Sequence, residues 1–255
     1  MGALEIRGSA AGLLDEPILL RVRGAGPAAE VTWRARYRDD DDRVWRASAA
    51  TAEDLATRWM PAKDSTGPLA ALRSLRTVVI EVRAETSDGR GASRTLTRHV
   101  VADGVRVRRW RGGLAATLYV PPRPQPCAAV IVDATAGAAA ADVASLAAPL
   151  LASRGALVLV VAPSRGAADP LELARERLAA VPAAREPILL SAEDPFAPEP
   201  AGGVVLPPGV GARDRGPHVA AARAAAWDAL LARLGATPRE LPAAGPTGGA
   251  AKMRA

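Results

Sequence analysis

Three residues in this chain have the types and the order of a nucleophile, an orienting acid and a base: Ser164, Asp194 and His218. A serine hydroxyl attacks poorly until an imidazole takes its proton, and a carboxylate beside the ring fixes its tautomer. Ser164 lies in Ala162-Pro163-Ser164-Arg165-Gly166, after the apolar run Ala156-Leu157-Val158-Leu159-Val160-Val161 and before a helical pattern. The segment is similar to a G-x-S-x-G nucleophile elbow with Ala at the first Gly position. Asp194 follows a second apolar run, Ile188-Leu189-Leu190-Ser191, and His218 comes later. Such a set would attack a carbonyl and pass an acyl group on, with backbone N–H groups holding the oxyanion.

The same residues also have a plainer reading. Pro163 fixes φ and lacks a donor, which opposes a strained elbow. Ser164 can cap a turn, Asp194 can accept from loop amides, and His218 follows Pro217 in the exposed first turn of a helix. Spacing weighs on the same side. Residues 162 to 187, between the two apolar runs, number 26. A helical crossover between parallel strands takes about a dozen residues or more. One crossover fits, and a further strand to carry a separate nucleophile does not.

Other chemistries find little support in the sequence. Gly209, Gly211 and Gly216 lack dinucleotide-loop spacing, and no His/Cys/Asp cluster has metal-ligand spacing, so no cofactor is expected. Asp39 to Asp42 reads as a solvated hairpin tip rather than a cation site. His99 reads as a surface side chain, and Cys127 precedes a strand instead of standing on an elbow. Cys127 is the only cysteine, so no intramolecular disulfide can form.

The 255 residues carry a net charge of +6, and all but Lys63 and Lys252 of the 33 basic residues are arginine. The arginines are scattered among acids without a basic run or stacking aromatics, which argues against nucleic acid. A basic face would still suit a polyanionic ligand such as coenzyme A, because guanidinium groups match phosphates. The apolar fraction is 49% with only 3% aromatics, which predicts an aliphatic core with the five tryptophans as its bulky members. The longest apolar run, at 156 to 162, is far short of the ~20 residues that span a membrane, and Met1 to Arg7 shows no leader pattern. A soluble, cytoplasmic protein is expected, with no membrane partner.

The elements needed to position the site change period midway. Val31, Trp33, Ala35 and Tyr37 alternate with Thr32, Arg34, Arg36 and Arg38, the pattern of a half-buried antiparallel strand. Val44 to Ala47, Ile18 to Val22, Val78 to Ala84 and Thr95 to Val101 read similarly, with a turn at Ser87 to Gly91. Short strands at this spacing predict a β-sandwich over residues 1–106. Thr51 to Ser74 reads as a long loop with a short helical piece.

Residues 107–240 predict an α/β domain. Strand Leu114 to Val120, a proline-rich turn and strand Ala128 to Val132 come first. A helix over Ala141 to Ser153, closed by Gly155, leads to strand Ala156 to Val161. Helix Leu171 to Ala180, strand Ile188 to Ser191 and helix Val219 to Leu234 complete the domain. Residues 241–255 form a Gly/Pro/Ala-rich tail expected to be disordered.

In this order the parts resemble the acyl-CoA thioester hydrolase and bile-acid-CoA:amino-acid N-acyltransferase family. In the first half the resemblance rests on Leu13-Leu14-Asp15-Glu16-Pro17, Val31-Thr32-Trp33-Arg34-Ala35 and Asp41-Asp42-Arg43-Val44-Trp45. It continues through Asp103-Gly104-Val105-Arg106, Gly112-Gly113-Leu114, Ala129 to Val132, Leu150 to Leu159 and the final Trp-bearing helix. It implies an immunoglobulin-like sandwich followed by a reduced α/β-hydrolase-like parallel sheet, acting on acyl-CoA or related thioesters. The family's nucleophile, acid and base map onto Ser164, Asp194 and His218 only if the site is compressed.

The chain departs from the family pattern at four places. The elbow strand is missing, and the oxyanion loop reads Asp133-Ala134-Thr135-Ala136-Gly137. The loop that bears the histidine in relatives falls at Leu206 to Gly211 without one, and Gly216-Pro217-His218 replaces a Gly-Thr-Pro-like helix start. Three readings stand together: a catalytically reduced family member, an active hydrolase with a compressed triad, and a non-catalytic acyl- or protein-binding module. Losing internal strands brings a sheet edge toward solvent, so a covered edge or a homodimer is expected.

Overall fold

The computed structural model describes residues 3–26, 29–61, 71–110, 113–122, 127–164, 169–181, 184–191 and 217–236. Asp194, the loop at Leu206 to Gly211, Gly216 and the tail 241–255 lie outside the described residues. The chain is mostly strand, arranged in three sheets with few helices.

The first half supplies β1 (Glu5–Gly8), β2 (Ala11–Leu13), β3 (Leu20–Arg23), β4 (Val31–Arg38) and β5 (Val44–Ala49). A short 3-10 helix (Glu53–Thr57) leads to β6 (Met60–Pro61), and β7 (Val78–Thr86) and β8 (Gly91–His99) follow. β1 pairs antiparallel with β3. The remaining six form one sheet in the order β2-β8-β7-β4-β5-β6. Side chains alternate across a strand, so Trp33, Ala35 and Tyr37 of β4 turn inward with Trp45, Ile80, Val82 and Leu96. Trp59 lies edge-on to Tyr37 at 4.8 Å between ring centroids.

Gly8 is fixed by geometry. Its φ is +140°, and a Cβ there would stand 2.0 Å from the Leu19 carbonyl oxygen, which is backbone and cannot swing aside. Gly8→Ala is expected to open the β1–β3 pair and to lower stability by about 1–3 kcal/mol. A lower thermal midpoint together with faster amide exchange in β1 and β3 would show it.

The second half supplies β9 (Arg106–Trp110), β10 (Ala116–Val120), β11 (Cys127–Asp133), α1 (Ala138–Ser153), β12 (Leu157–Val161), α2 (Pro170–Ala179), β13 (Ala184–Ser191) and α3 (Pro217–Leu234). The five strands form a mixed sheet in the order β13-β11-β12-β10-β9. β11, β12 and β13 run parallel, and β10 is antiparallel to both β12 and β9. Pro187 within β13 is compatible with the edge place this strand holds, where a missing ladder donor is tolerated. α2 begins as its sequence dictates: Pro170 opens it, and the Asp169 carboxylate accepts from the N–H groups of Leu171 and Glu172.

The β11–α1–β12 and β12–α2–β13 connections move in opposite directions across β11. If both crossovers keep the usual hand, their helices must fall on opposite faces. The packing agrees. Ala129, Ile131, Leu157 and Leu159 cluster with Ala174 and Leu178 of α2. Val130, Val132 and Val158 cluster with α1, with Trp227 of α3, and with the inner face of the six-stranded sheet.

Polar ties join the two halves as well. Arg154, just past α1, places its Nη2 2.9 Å from Asp15 Oδ1 and 3.2 Å from Glu16 Oε1. Trp227 Nε1 donates to Asp15 Oδ2 at 3.0 Å. The Ala102 N–H donates to Ser153 Oγ at 2.8 Å, and Arg73 Nε to Asp142 Oδ1 at 3.0 Å.

One expectation needs correction in part. Asp39 to Asp42 is the hairpin tip between β4 and β5, and Asp40, Asp41 and Asp42 are exposed, but Asp39 is buried and its carboxylate accepts from Trp45 Nε1, Arg43 Nε and the N–H groups of Asp41, Arg43 and Ala71. Asp40 accepts from the N–H groups of Arg73 and Ser74. Asp39 and Asp40 thereby anchor the segment from Ala71 to Ser74. Among the described residues β9 is an edge strand of the mixed sheet, and its side chains from Arg106 to Arg109 are exposed. Charged side chains on an edge disfavour strand addition.

Candidate functional site

In an open α/β sheet the binding crevice forms beyond the carboxyl ends of the strands, where successive connections diverge. Here they diverge at β11, whose neighbours are β12 on one side and β13 on the other. The carboxyl ends are in register: Asp133 lies opposite Val161 of β12 and Ser191 of β13. Beyond them the Asp133 carboxylate accepts from the Thr135 N–H at 2.9 Å and from Thr135 Oγ1 at 2.6 Å. The Ala134 N–H donates to the Val161 carbonyl at 2.9 Å, which fixes the loop over the end of β12. Gly137, at φ +126°, then turns the chain into α1, whose first turn has no side-chain cap and no acidic residue.

This end of the sheet therefore offers a carboxylate, two hydroxyl-bearing residues and the amide-rich start of a helix. Such groups hold a polar or anionic ligand group through hydrogen bonds. The described residues of these strand ends and loops include no imidazole that could serve as a base.

Ser164 stands apart from this point. The chain leaves β12 with the Ala162 N–H donating to the Ala115 carbonyl at 2.9 Å. Ser164 Oγ donates to the Gly113 carbonyl at 3.3 Å. Both bonds draw the loop toward the segment entering β10, on the side of β12 away from β11 and β13. β12 ends at Val161 and α2 starts at Pro170, with the Asp169 cap before it. His218 is exposed as the second residue of α3. Among the described residues no hydrogen bond joins it to Ser164, and Asp194 lies outside them.

Sequence reasoning did not single out Asp133, Thr135 and Ser191 as candidate site residues. The signal was present, because each sits at or just past the carboxyl end of an apolar parallel-type strand. Among the described residues no group of three His, Cys, Asp or Glu side chains could hold a metal ion. No helix among them is long and apolar enough to cross a membrane. No family model matches the chain, and no curated protein matches it.

Proposed function

We propose that the chain is a catalytically reduced relative of the acyl-CoA thioester hydrolases and bile-acid-CoA:amino-acid N-acyltransferases. In this reading an immunoglobulin-like β-sandwich precedes a shortened α/β-hydrolase-like sheet, and an acyl thioester is held without being cleaved. The observation that carries the reading is the direct pairing of β13 on β11, with α2 as the one crossover between β12 and β13. An elbow must present its hydroxyl on a tight strand-to-helix turn. The Ser164 hydroxyl instead donates to a loop carbonyl, in a connection that runs from Val161 to Pro170.

The test is release of free thiol from a panel of short-, medium- and long-chain acyl-CoAs. The expected result is turnover no faster than the uncatalysed background, unchanged within about two-fold in Ser164→Ala. Saturable binding of at least one acyl-CoA by the same protein is expected alongside. Turnover that disappears in Ser164→Ala would instead establish the compressed Ser164, Asp194 and His218 site. Absence of both turnover and binding would remove the acyl-thioester reading.

A further inference from the structure

The outward face of the six-stranded sheet is set out by the strand register as two rows. One row runs Ser93, Arg83, Arg34, Ser48 across β8, β7, β4 and β5. The next runs Thr95, Glu81, Arg36, Arg46, Met60 and reaches β6. Each row thus sets two arginines directly opposite one another, Arg34 against Arg83 and Arg36 against Arg46. Directly opposed side chains are only about 4.5–5.5 Å apart at Cβ, where like charges destabilise a sheet. Repulsion of this kind has no folding purpose in a face that any polar residue could fill.

The nearby carboxylates do not balance these charges. Glu85 takes both Arg34 and Arg83 at 2.9 Å, and Glu81 takes Arg36 at 2.6 Å. The side chains of Arg46 and Arg58 have no ion-pair or hydrogen-bond partner among the described residues. These side chains line an open groove of about 1100 Å³. The surplus positive charge of the sheet face is therefore gathered into a concavity large enough for a small molecule.

We propose that this groove is a binding site for a small ligand carrying two or more phosphate groups. Residues two apart on a strand are about 7 Å apart, so a ligand touching both rows needs at least two anionic centres. Guanidinium groups supply planar paired donors for each of them. Single-stranded nucleic acid fits less well, because its binding relies on aromatic platforms for the bases. The groove is lined by Met60 and no aromatic side chain among the described residues. The aromatic side chains of these strands, Trp33, Tyr37 and Trp45, are buried on the other face.

The test is calorimetric titration of the full chain with sodium tripolyphosphate at fixed ionic strength. Wild type is expected to bind saturably at one site per chain. The double variant Arg46→Ala/Arg58→Ala is expected to bind at least ten-fold more weakly. Arg106→Ala/Arg108→Ala on the exposed β9 edge removes the same charge outside the groove and is expected to bind within two-fold of wild type. The groove variant should keep its fold, with a thermal midpoint equal to or above that of wild type, since the Arg36–Arg46 repulsion is relieved. Equal weakening in both double variants, or no saturation in wild type, would overturn the proposal. So would a single-stranded RNA oligomer that binds more tightly than tripolyphosphate and depends on Arg46 and Arg58.

Discussion

Asp15→Ala is expected to destabilise the protein by about 3–5 kcal/mol, the usual effect of stripping one partner from a buried ion pair. The Asp15 side chain is fully buried, and Arg154 is 5% exposed. Removing the carboxylate leaves a guanidinium inside the fold without its principal counter-charge. It also orphans Trp227 Nε1, whose ring is fully buried between the halves. Arg98 adds to the effect. Burial pulls its guanidinium below the usual arginine range, while the charges of Glu16 and Asp15 oppose that shift. Loss of Asp15 therefore removes one of the two carboxylates that both buried cations face. A denaturant titration will read the change as a lower midpoint. The apolar pair Asp15→Leu/Arg154→Met should lose less than either single change, because no uncompensated charge remains. A double variant as unstable as the sum of its singles would show that the ion pair is not the source of the effect.

Asp39→Ala is expected to cost about 3 kcal/mol or more, because several buried donors lose one acceptor together. The indole N–H of Trp45, the Arg43 side chain and the backbone of Ala71 all meet this carboxylate. Burial pushes the Asp39 carboxyl upward, but these hydrogen bonds outweigh it and hold the group below its ordinary value of 3.8. The pH dependence follows from that direction. A carboxyl with a lowered folded-state pKa contributes fully above its unfolded value and loses the contribution as pH falls through the folded one. Wild type and Asp39→Ala should thus differ most near neutrality and converge in acid below the ordinary carboxylate range. Urea midpoints across that range will show the gap closing. A gap that stays constant would place the effect in packing rather than in the charge.

Much of the architecture was legible because its signals are local. The alternation at Val31 to Tyr37, the Gly155 stop after α1 and the apolar run at 156 to 161 each fix an element from neighbouring residues. Strands β1, β2 and β9 were not legible, because Glu5–Gly8, Ala11–Leu13 and Arg106–Trp110 have short or charged sequences. Such segments become strands through a partner, as Ala11–Leu13 does by lying parallel to Thr97–His99. The acidic run was legible in part. Asp40, Asp41 and Asp42 face water at the hairpin tip, yet whether Asp39 does depends on Ala71 and Trp45 arriving beside it.

The same limit applied at the site. Spacing along the chain limited the β12–β13 link to one crossover, and α2 fills it. Spacing did not reveal that Ser164 bonds toward Gly113, since that depends on β10 lying next to β12. Nor could it pair Arg34 with Arg83, whose proximity is set by register between strands distant in sequence.

A single apolar cluster extends from Ile6 to Leu234 and takes in both the six-stranded sheet and one face of the mixed sheet. The six-stranded sheet therefore shares its interior with α1 and α3, while the other face of the mixed sheet keeps a separate interior with α2. The first half is thus expected to melt together with α1 and α3 in one cooperative step rather than as an independent unit.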